Sequence, residues 1–252
     1  MRRFFVDEIR VKDRFCSITG PEAKHISRVL RMGPGDRFIL MDGRGARYQV
    51  LIDAVGAREV RVLLEKPLPP PPPSPVTITL CQALLKSRPM DYIVQKTSEL
   101  GVDVIIPFSS TRTVARLQGD RLGKRLRHWR EIAHNAAKQC GRETPAHIEP
   151  PLPFQELAAR WKGERGLKII LWEGERKKDL KELLTASPTP GKVIAFIGPE
   201  GGFGHEEIEE AQKAGFAPVS LGNRVLRSET AAITLTALIQ YEHGDLGLNH
   251  SW

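Results

Sequence analysis

Residues 66–75 read Lys-Pro-Leu-Pro-Pro-Pro-Pro-Pro-Ser-Pro, and neither a helix nor a sheet interior can run through them. Each proline ring fixes φ and removes a backbone donor, so the stretch predicts an extended, semi-rigid spacer. It divides the 252 residues into a small domain over 1–68, a linker over 69–75 and a larger domain over 76–252. A proline run can also be a ligand for proline-binding domains. The patterns on its two sides differ, which favours the spacer.

Before the spacer, short β-like runs occupy 2–6, 14–18, 37–41, 47–55 and 59–64, with the glycine turn Asp42-Gly43-Arg44-Gly45 between two of them. One helix interrupts them over 22–30, with Pro21 at a first helical position and Gly33-Pro34-Gly35 as its stop. This predicts a small, β-rich barrel. Beyond the spacer, strand and helix alternate: strands at 76–82, 103–108, 168–172, 193–197 and 218–221, helices at 91–100, 121–140, 178–184, 205–214 and 229–241. That order predicts an α/β domain with a mainly parallel sheet. Leu122, Leu126, Trp129, Ala133, Ala136 and Cys140 recur at helical spacing and leave the arginines of 121–140 on other faces.

The formal charge of +8 suits a polyanionic partner, and its placement says more than its size. Residues 112–130 carry Arg112, Arg116, Arg121, Lys124, Arg125, Arg127 and Arg130 against the single acid Asp120. Residues 1–66 add 14 basic groups against 9 acidic ones. Phosphate neutralisation by such surfaces gives affinity without sequence choice; a solvated helix face is the competing reading. No stretch reaches the roughly 18 apolar residues of a membrane helix, and the first eight residues turn charged too early for a signal peptide. A cytoplasmic protein is expected. Cys16, Cys81 and Cys140 are far apart and form no Cys-x-x-Cys pair, so neither a disulfide framework nor a zinc site is expected. No His/Asp/Glu cluster has ligand spacing, so no metal is expected either.

Two segments carry the chemistry. Gly198-Pro199-Glu200-Gly201-Gly202-Phe203-Gly204 follows the apolar run 193–197, and Leu221-Gly222-Asn223-Arg224-Val225-Leu226-Arg227-Ser228-Glu229-Thr230-Ala231 follows 218–221. Two loops leaving the carboxyl ends of parallel strands border the crevice where open α/β sheets bind ligands. The first loop is neither Gly-x-G-x-x-Gly nor a phosphate loop ending in Lys-Ser/Thr, and Pro199 removes one N–H that a pyrophosphate cradle would use. Its glycines suit close backbone approach to a flat, uncharged ligand portion such as an adenosyl group. Leu171, Trp172 and Glu173 end another strand and are expected in the same pocket. Glu206 and Glu207 read as first-turn acids favoured by a helix dipole, and Ser228 reads as a helix N-cap followed by the first-turn acid Glu229.

These segments resemble the signature of the RsmE branch of the SPOUT methyltransferases. The resemblance extends through Gln95-Lys96-Thr97-Ser98-Glu99-Leu100-Gly101-Val102, Thr111-Arg112-Thr113 and Ala137-Lys138-Gln139-Cys140-Gly141-Arg142, and so covers about residues 77–241. It implies a trefoil-knotted SPOUT domain, a knot that periodicity alone does not indicate, behind a PUA-like RNA-binding β-barrel. It further implies a homodimer that uses S-adenosylmethionine to form N3-methyluridine in 16S rRNA of the small ribosomal subunit, at uridine 1498. By the same resemblance Leu171, Trp172, Gly198, Pro199, Glu200, Gly201, Gly202, Leu221, Gly222, Val225, Leu226, Thr230 and Ala231 would surround the cofactor.

Uracil N3 must lose its proton while charge spreads onto O2 and O4; the resemblance gives Arg227 a substrate role, with Arg227 and Arg142 as donors to those oxygens or as contacts to the flanking phosphates, and Glu229 or water is the candidate proton acceptor. Arg112, Arg125, Arg127 and Arg142 would meet RNA, with structural salt bridging as the alternative for Arg112 and Arg142. His134-Asn135 departs from the family, which often has an acid there, so no acidic role passes to Asn135. Two rivals remain: an inactive RNA-binding or ribosome-assembly factor of the same fold, and a nucleotide-binding enzyme, against which the missing lysine argues.

Overall fold

The computed structural model describes residues 1–42, 45–69, 72–113 and 120–247. Gly43 and Arg44 of the glycine turn, Pro70 and Pro71 of the proline run and Arg116 of the basic cluster lie outside the described residues. The chain forms two compact units, Met1–Pro72 with Ala137–Pro145, and Pro73–Ala136 with Ala146–Trp252.

The first unit holds β1 (Arg3–Val6), β2 (Phe15–Thr19), β3 (Arg37–Asp42), β4 (Arg47–Val55) and β5 (Glu59–Pro67) in the order β1-β3-β4-β5-β2. β1 runs parallel to β3, and the other pairs are antiparallel. Register shifts in β4 at Gln49/Val50 and Ile52/Ala54 bend the strand, as an extra residue in one strand does, and the sheet curls over Ile18, Phe38, Leu40, Val50 and Val60. Between β2 and β3, α1 (Gly20–Lys24) continues into a π-helical turn, His25–Val29. This helix stops before the predicted Gly33: Arg31 takes a left-handed φ of 52°, and the Met32 N–H closes on the Ile26 carbonyl at 3.0 Å. His25 stays half exposed at the surface beside the Phe4 ring.

The second unit continues with β6 (Thr77–Ala83), α2 (Ser87–Glu99), β7 (Val104–Ser109), α3 (Asp120–Cys140), β8 (His147–Ile148), β9 (Leu152–Pro153) and α4 (Phe154–Arg160). β10 (Leu167–Leu171), α5 (Leu180–Ala186), β11 (Lys192–Ile197), α6 (His205–Lys213), β12 (Ala217–Val219) and α7 (Ser228–His243) complete it. The strand order is β12-β10-β11-β6-β7-β8, with β9 also on β7, and every pairing is parallel. Helix α2 starts ahead of the expected position 91 because Pro89 falls in its first turn, where the missing donor has no helical partner to lose. β8, β9 and α4 have no counterpart in the sequence reading: two-residue strands are too short to show a period.

Alternation on each central strand feeds two cores. Val193, Ala195 and Ile197 of β11 join Met90 and Ile93 of α2, Leu180 of α5 and Leu235 of α7. Ile194 and Phe196 point the other way, to Phe154 and Leu157 of α4 and Ile208 of α6. Helices therefore cover both faces, which is why these strands read as continuous apolar runs.

Candidate functional site

In the order β12-β10-β11, the chain leaves β11 on one side of β10 and β12 on the other, and all three strands point the same way. Their carboxyl ends therefore open onto a common crevice. A cavity of about 550 Å³ lies there, within the usual range of small-ligand sites. The exit of β10 contributes Leu171, Trp172, Glu173 and Arg176; the exit of β11 contributes Gly198, Pro199, Glu200, Gly202 and Phe203. The exit of β12 contributes Ser220 to Glu229, and Pro89, Ile197, Val219 and Ala231 complete the lining.

The loop after β11 is held from several directions. Phe203, 3% exposed, is driven into the core among Phe108, Phe154 and Phe196, and its ring would lie 3.0 Å from a Cβ on Gly198. The Gly202 N–H closes a tight turn on the Pro199 carbonyl at 3.0 Å, with Gly202 at a φ of 69° that strains any other residue. A Cβ on Gly202 would also run into the Glu173 carboxylate. The Ser228 hydroxyl donates to the Gly198 carbonyl at 2.6 Å, while the fully buried Gln82 donates its Nε2 to the Ser228 Oγ at 3.0 Å. Ser228 thus ties a residue of α7 to the loop. It is not the N-cap predicted for it: that position is Arg227, and no side chain caps the helix there. The hydroxyl reaches across to Gly198 in place of its own helix.

Glu207 holds the expected first-turn place at the start of α6 and does more. It is 2% exposed and accepts from the Gly204 N–H at 2.9 Å and from the Thr111 N–H at 3.1 Å. A first-turn acid that only answers a helix dipole would stay solvated; this one joins two loops.

The loop after β12 differs. Ser220 is fixed by its N–H on the Lys178 carbonyl at 3.1 Å, and Arg227 by its carbonyl at the start of α7. Between them, among the described residues, Leu221 to Leu226 make no hydrogen bond with the rest of the chain, and Val225 is 84% exposed.

Of the residues expected around the cofactor, Leu171, Trp172, Gly198, Pro199, Glu200, Gly202, Leu221, Gly222, Val225, Leu226 and Ala231 line the cavity, as do Arg227 and Glu229. Gly201 and Thr230 do not. Thr230 is exposed on α7, and Gly201 turns outward against Arg112, whose guanidinium donates to its carbonyl at 2.9 Å. Trp172 packs edge-on against the His205 ring at 5.4 Å and over Gly174. The sequence reading missed Pro89, Arg176, Ser220, Asn223 and Arg224. Arg176 had one usable signal, its place in the loop that follows Trp172-Glu173. That loop is shaped by Glu175, which accepts from the N–H groups of Arg176, Lys177 and Lys178. The Lys177 N–H leads in holding this carboxyl below its ordinary range.

The arginines expected to meet RNA divide. Arg127 is exposed on α3 and Arg112 is exposed after β7, whereas Arg142 is half buried in the first unit. Arg125 reaches Asp91 of α2 at 3.3 Å and stacks on Trp129 at 5.3 Å; Asp91 also accepts from Trp129 Nε1 and pairs with His128, each at 3.1 Å. Arg125 therefore helps to clasp α2 to α3.

The cavity combines an apolar side from Leu171, Ile197, Val219 and Leu226 with the backbone edges of two glycine loops and charges of both signs. Glu173, Glu200 and Glu229 face the same space as Arg176, Arg224 and Arg227. This set fits an adenosyl group carrying a zwitterionic amino-acid tail, and it offers a triphosphate neither a lysine nor an unbroken run of N–H groups. Among the described residues no group of three His, Cys, Asp or Glu could hold a metal ion, and no helix is long and apolar enough to cross a membrane.

Comparison with known proteins gives the same picture. The family described as RNA methyltransferase domain matches residues 72–240, and the RNA methyltransferase PUA domain matches 18–65. Ribosomal RNA small subunit methyltransferase E of Mesomycoplasma hyopneumoniae is 33% identical over 238 residues, covering 93% of this chain and 97% of its own. The crystal structure of a ribosomal RNA small subunit methyltransferase E from Neisseria gonorrhoeae bound to S-adenosyl methionine aligns with a TM-score of 0.80 at 30% identity, over 97% of this chain and 99% of that one. A putative methyltransferase from Legionella pneumophila in complex with bound SAM aligns with a TM-score of 0.79 at 32% identity, over 96% and 98%.

Proposed function

This chain belongs to the ribosomal RNA small subunit methyltransferase E family, and from that premise we propose that it uses S-adenosylmethionine to form N3-methyluridine in 16S rRNA of the small ribosomal subunit. The observation that carries the reading is the cavity at the carboxyl ends of β10, β11 and β12, walled by both glycine loops. When bound, the cofactor supplies an electrophilic sulfonium methyl group. The lining residues of the three strand exits would hold it, with apolar side chains and glycine backbone suited to its flat, uncharged portions.

The protein's remaining task is to present N3 of a uridine without its proton. Arg227 stands at the mouth of the cavity as the residue before α7, exposed, with donors that can meet charge on O2 or O4. Glu229, two residues on and half buried in the same lining, or a water beside it, accepts the N3 proton in this reading. Of the arginines assigned to RNA, exposed Arg112 and Arg127 suit phosphate contact best; Arg142 adds charge from the first unit, and Arg125 contributes what its bond to Asp91 leaves over.

We read the active form as a homodimer. Tyr92 of α2 and Leu238 and Tyr241 of α7 are 50%, 41% and 69% exposed, an apolar set that a second copy would cover. The knot, the cytoplasmic location and the domain limits at 68 and 76 belong to the same reading. The test is to incubate the protein with labelled S-adenosylmethionine and small subunits lacking N3-methyluridine, then analyse the nucleosides by mass spectrometry. N3-methyluridine at one site is the expected product. Cofactor binding without transfer to the subunit would overturn the proposed specificity.

A further inference from the structure

We propose that Arg112 and Glu207 form a brace behind the cofactor loop, and that Arg112 sets cofactor affinity before any RNA arrives. The inference rests on the cofactor reading above. Arg112 does not line the cavity; it reaches the loop from outside. Its NH1 donates to the carbonyl of Gly201 at 2.9 Å, between Glu200 and Gly202, which both face the cavity. Gly201 is fitted to this neighbour: a Cβ there would lie 3.3 Å from the Arg112 Cβ, closer than ordinary contact. The loop carrying Arg112 is held in turn, since the Thr111 N–H donates to Glu207 Oε1 at 3.1 Å. The other oxygen of that carboxylate takes the Gly204 N–H at 2.9 Å, at the far end of the cofactor loop.

One buried carboxylate thus spans both loops, and one guanidinium closes the arrangement at Gly201. A carboxylate buried to 2% exposure is costly unless its oxygens are satisfied, and here both acceptors are spent on loop backbone. Removing either side chain frees the Glu200–Gly202 turn to sample geometries in which its peptide groups miss the ligand, an outer-shell effect on affinity. Arg112 and Glu207 are therefore positioning residues.

The experiment is calorimetry with S-adenosylhomocysteine, without RNA, on the full-length wild-type protein and on Arg112→Ala, Arg112→Lys and Glu207→Gln. Arg112→Ala should weaken binding about fivefold, the effect of losing one charge-assisted hydrogen bond at an exposed site. Its melting temperature should stay close to wild type because the side chain is exposed. Arg112→Lys, which keeps a donor on a flexible stem, should recover most of the loss. Glu207→Gln keeps one acceptor but sets a donor against the second buried N–H, so it should lose at least as much affinity as Arg112→Ala, with the KM for the cofactor raised and kcat little changed.

Unchanged affinity in Arg112→Ala, with weakened rRNA binding, would make Arg112 an RNA contact only and overturn the inference. A lower melting temperature with unchanged affinity would overturn it as well, by reducing both side chains to fold residues. If the wild-type protein itself does not bind S-adenosylhomocysteine, the cofactor reading fails first.

Discussion

The two walls of one cavity are built in opposite ways. The loop after β11 has the carbonyls of Gly198, Pro199 and Gly201 and the N–H groups of Gly202 and Gly204 committed to Ser228, Arg112, Glu207 and its own tight turn, and Phe203 pins it to the core. The loop after β12 is anchored at Ser220 and Arg227 and, among the described residues, makes no hydrogen bond in between. Both are glycine-bearing exits from parallel strands, so sequence pattern alone makes them look alike. The difference is one of pre-organisation: the first wall is shaped without ligand, and the second has peptide groups that no other part of the described chain engages. A rigid wall reduces the ordering that binding must impose, while a loosely held wall can close over what has bound.

The largest effect should come from the mouth of the loosely held wall. Arg227→Ala should lower single-turnover methyl transfer about 100-fold or more, as loss of a donor to developing charge does. S-adenosylhomocysteine affinity should stay nearly unchanged; an equal loss in both would make Arg227 part of the cofactor site or the fold. Next come paired glycine substitutions, one per wall. Gly202→Ala combines a φ of 69° with a clash on Glu173 and should weaken cofactor binding at least tenfold, on the order of the ~1–2 kcal/mol that left-handed backbone alone imposes on a side chain. Gly222→Ala shares the strain, at a φ of 97°, but its Cβ would meet nothing within 4 Å, so its loss should be clearly smaller. Equal losses would erase the contrast between the walls.

Ser228→Ala leaves the Gly198 carbonyl and Gln82 without their bridge and should cost about 1–2 kcal/mol of stability, read as a lower calorimetric melting temperature. An unaltered melting temperature would mean that the bridge does not brace the first wall. The smallest expected effects lie outside the cavity. Arg127→Glu should weaken rRNA binding and reduce its salt slope by roughly the share of one phosphate contact. Arg125→Glu should instead lower the melting temperature, because Asp91 would face a like charge. If Arg125→Glu flattened the salt slope as much as Arg127→Glu, its pairing with Asp91 would not matter in solution.

What could be read ahead of the structure was local. Buried parallel strands are continuous apolar runs, so β10, β11 and β12 and the glycine exits after two of them stood out. β8 and β9 did not, because two residues carry no period. Ser228 was misread because it fits a common helix-start pattern and yet spends its hydroxyl on Gly198, 30 residues away. Glu207 holds the first-turn place expected of it and adds a second bond, to Thr111, 96 residues away. Arg125 also has a tertiary partner that spacing does not show, the carboxylate of Asp91 lying 34 residues upstream. The return of Ala137–Pro145 to the first unit likewise has no local signature. Motif type and spacing locate a site; the side chains that hold its walls in place are fixed by tertiary neighbours.

The most direct measurement is amide hydrogen exchange across both loops, without and with saturating S-adenosylhomocysteine. The Gly202 and Gly204 amides should already be protected in the free protein and change little, whereas residues 221–226 should exchange quickly and become protected when the ligand binds. Equal exchange of the two loops in the free protein would contradict the contrast between the walls, and binding that protects neither loop would place the cofactor elsewhere.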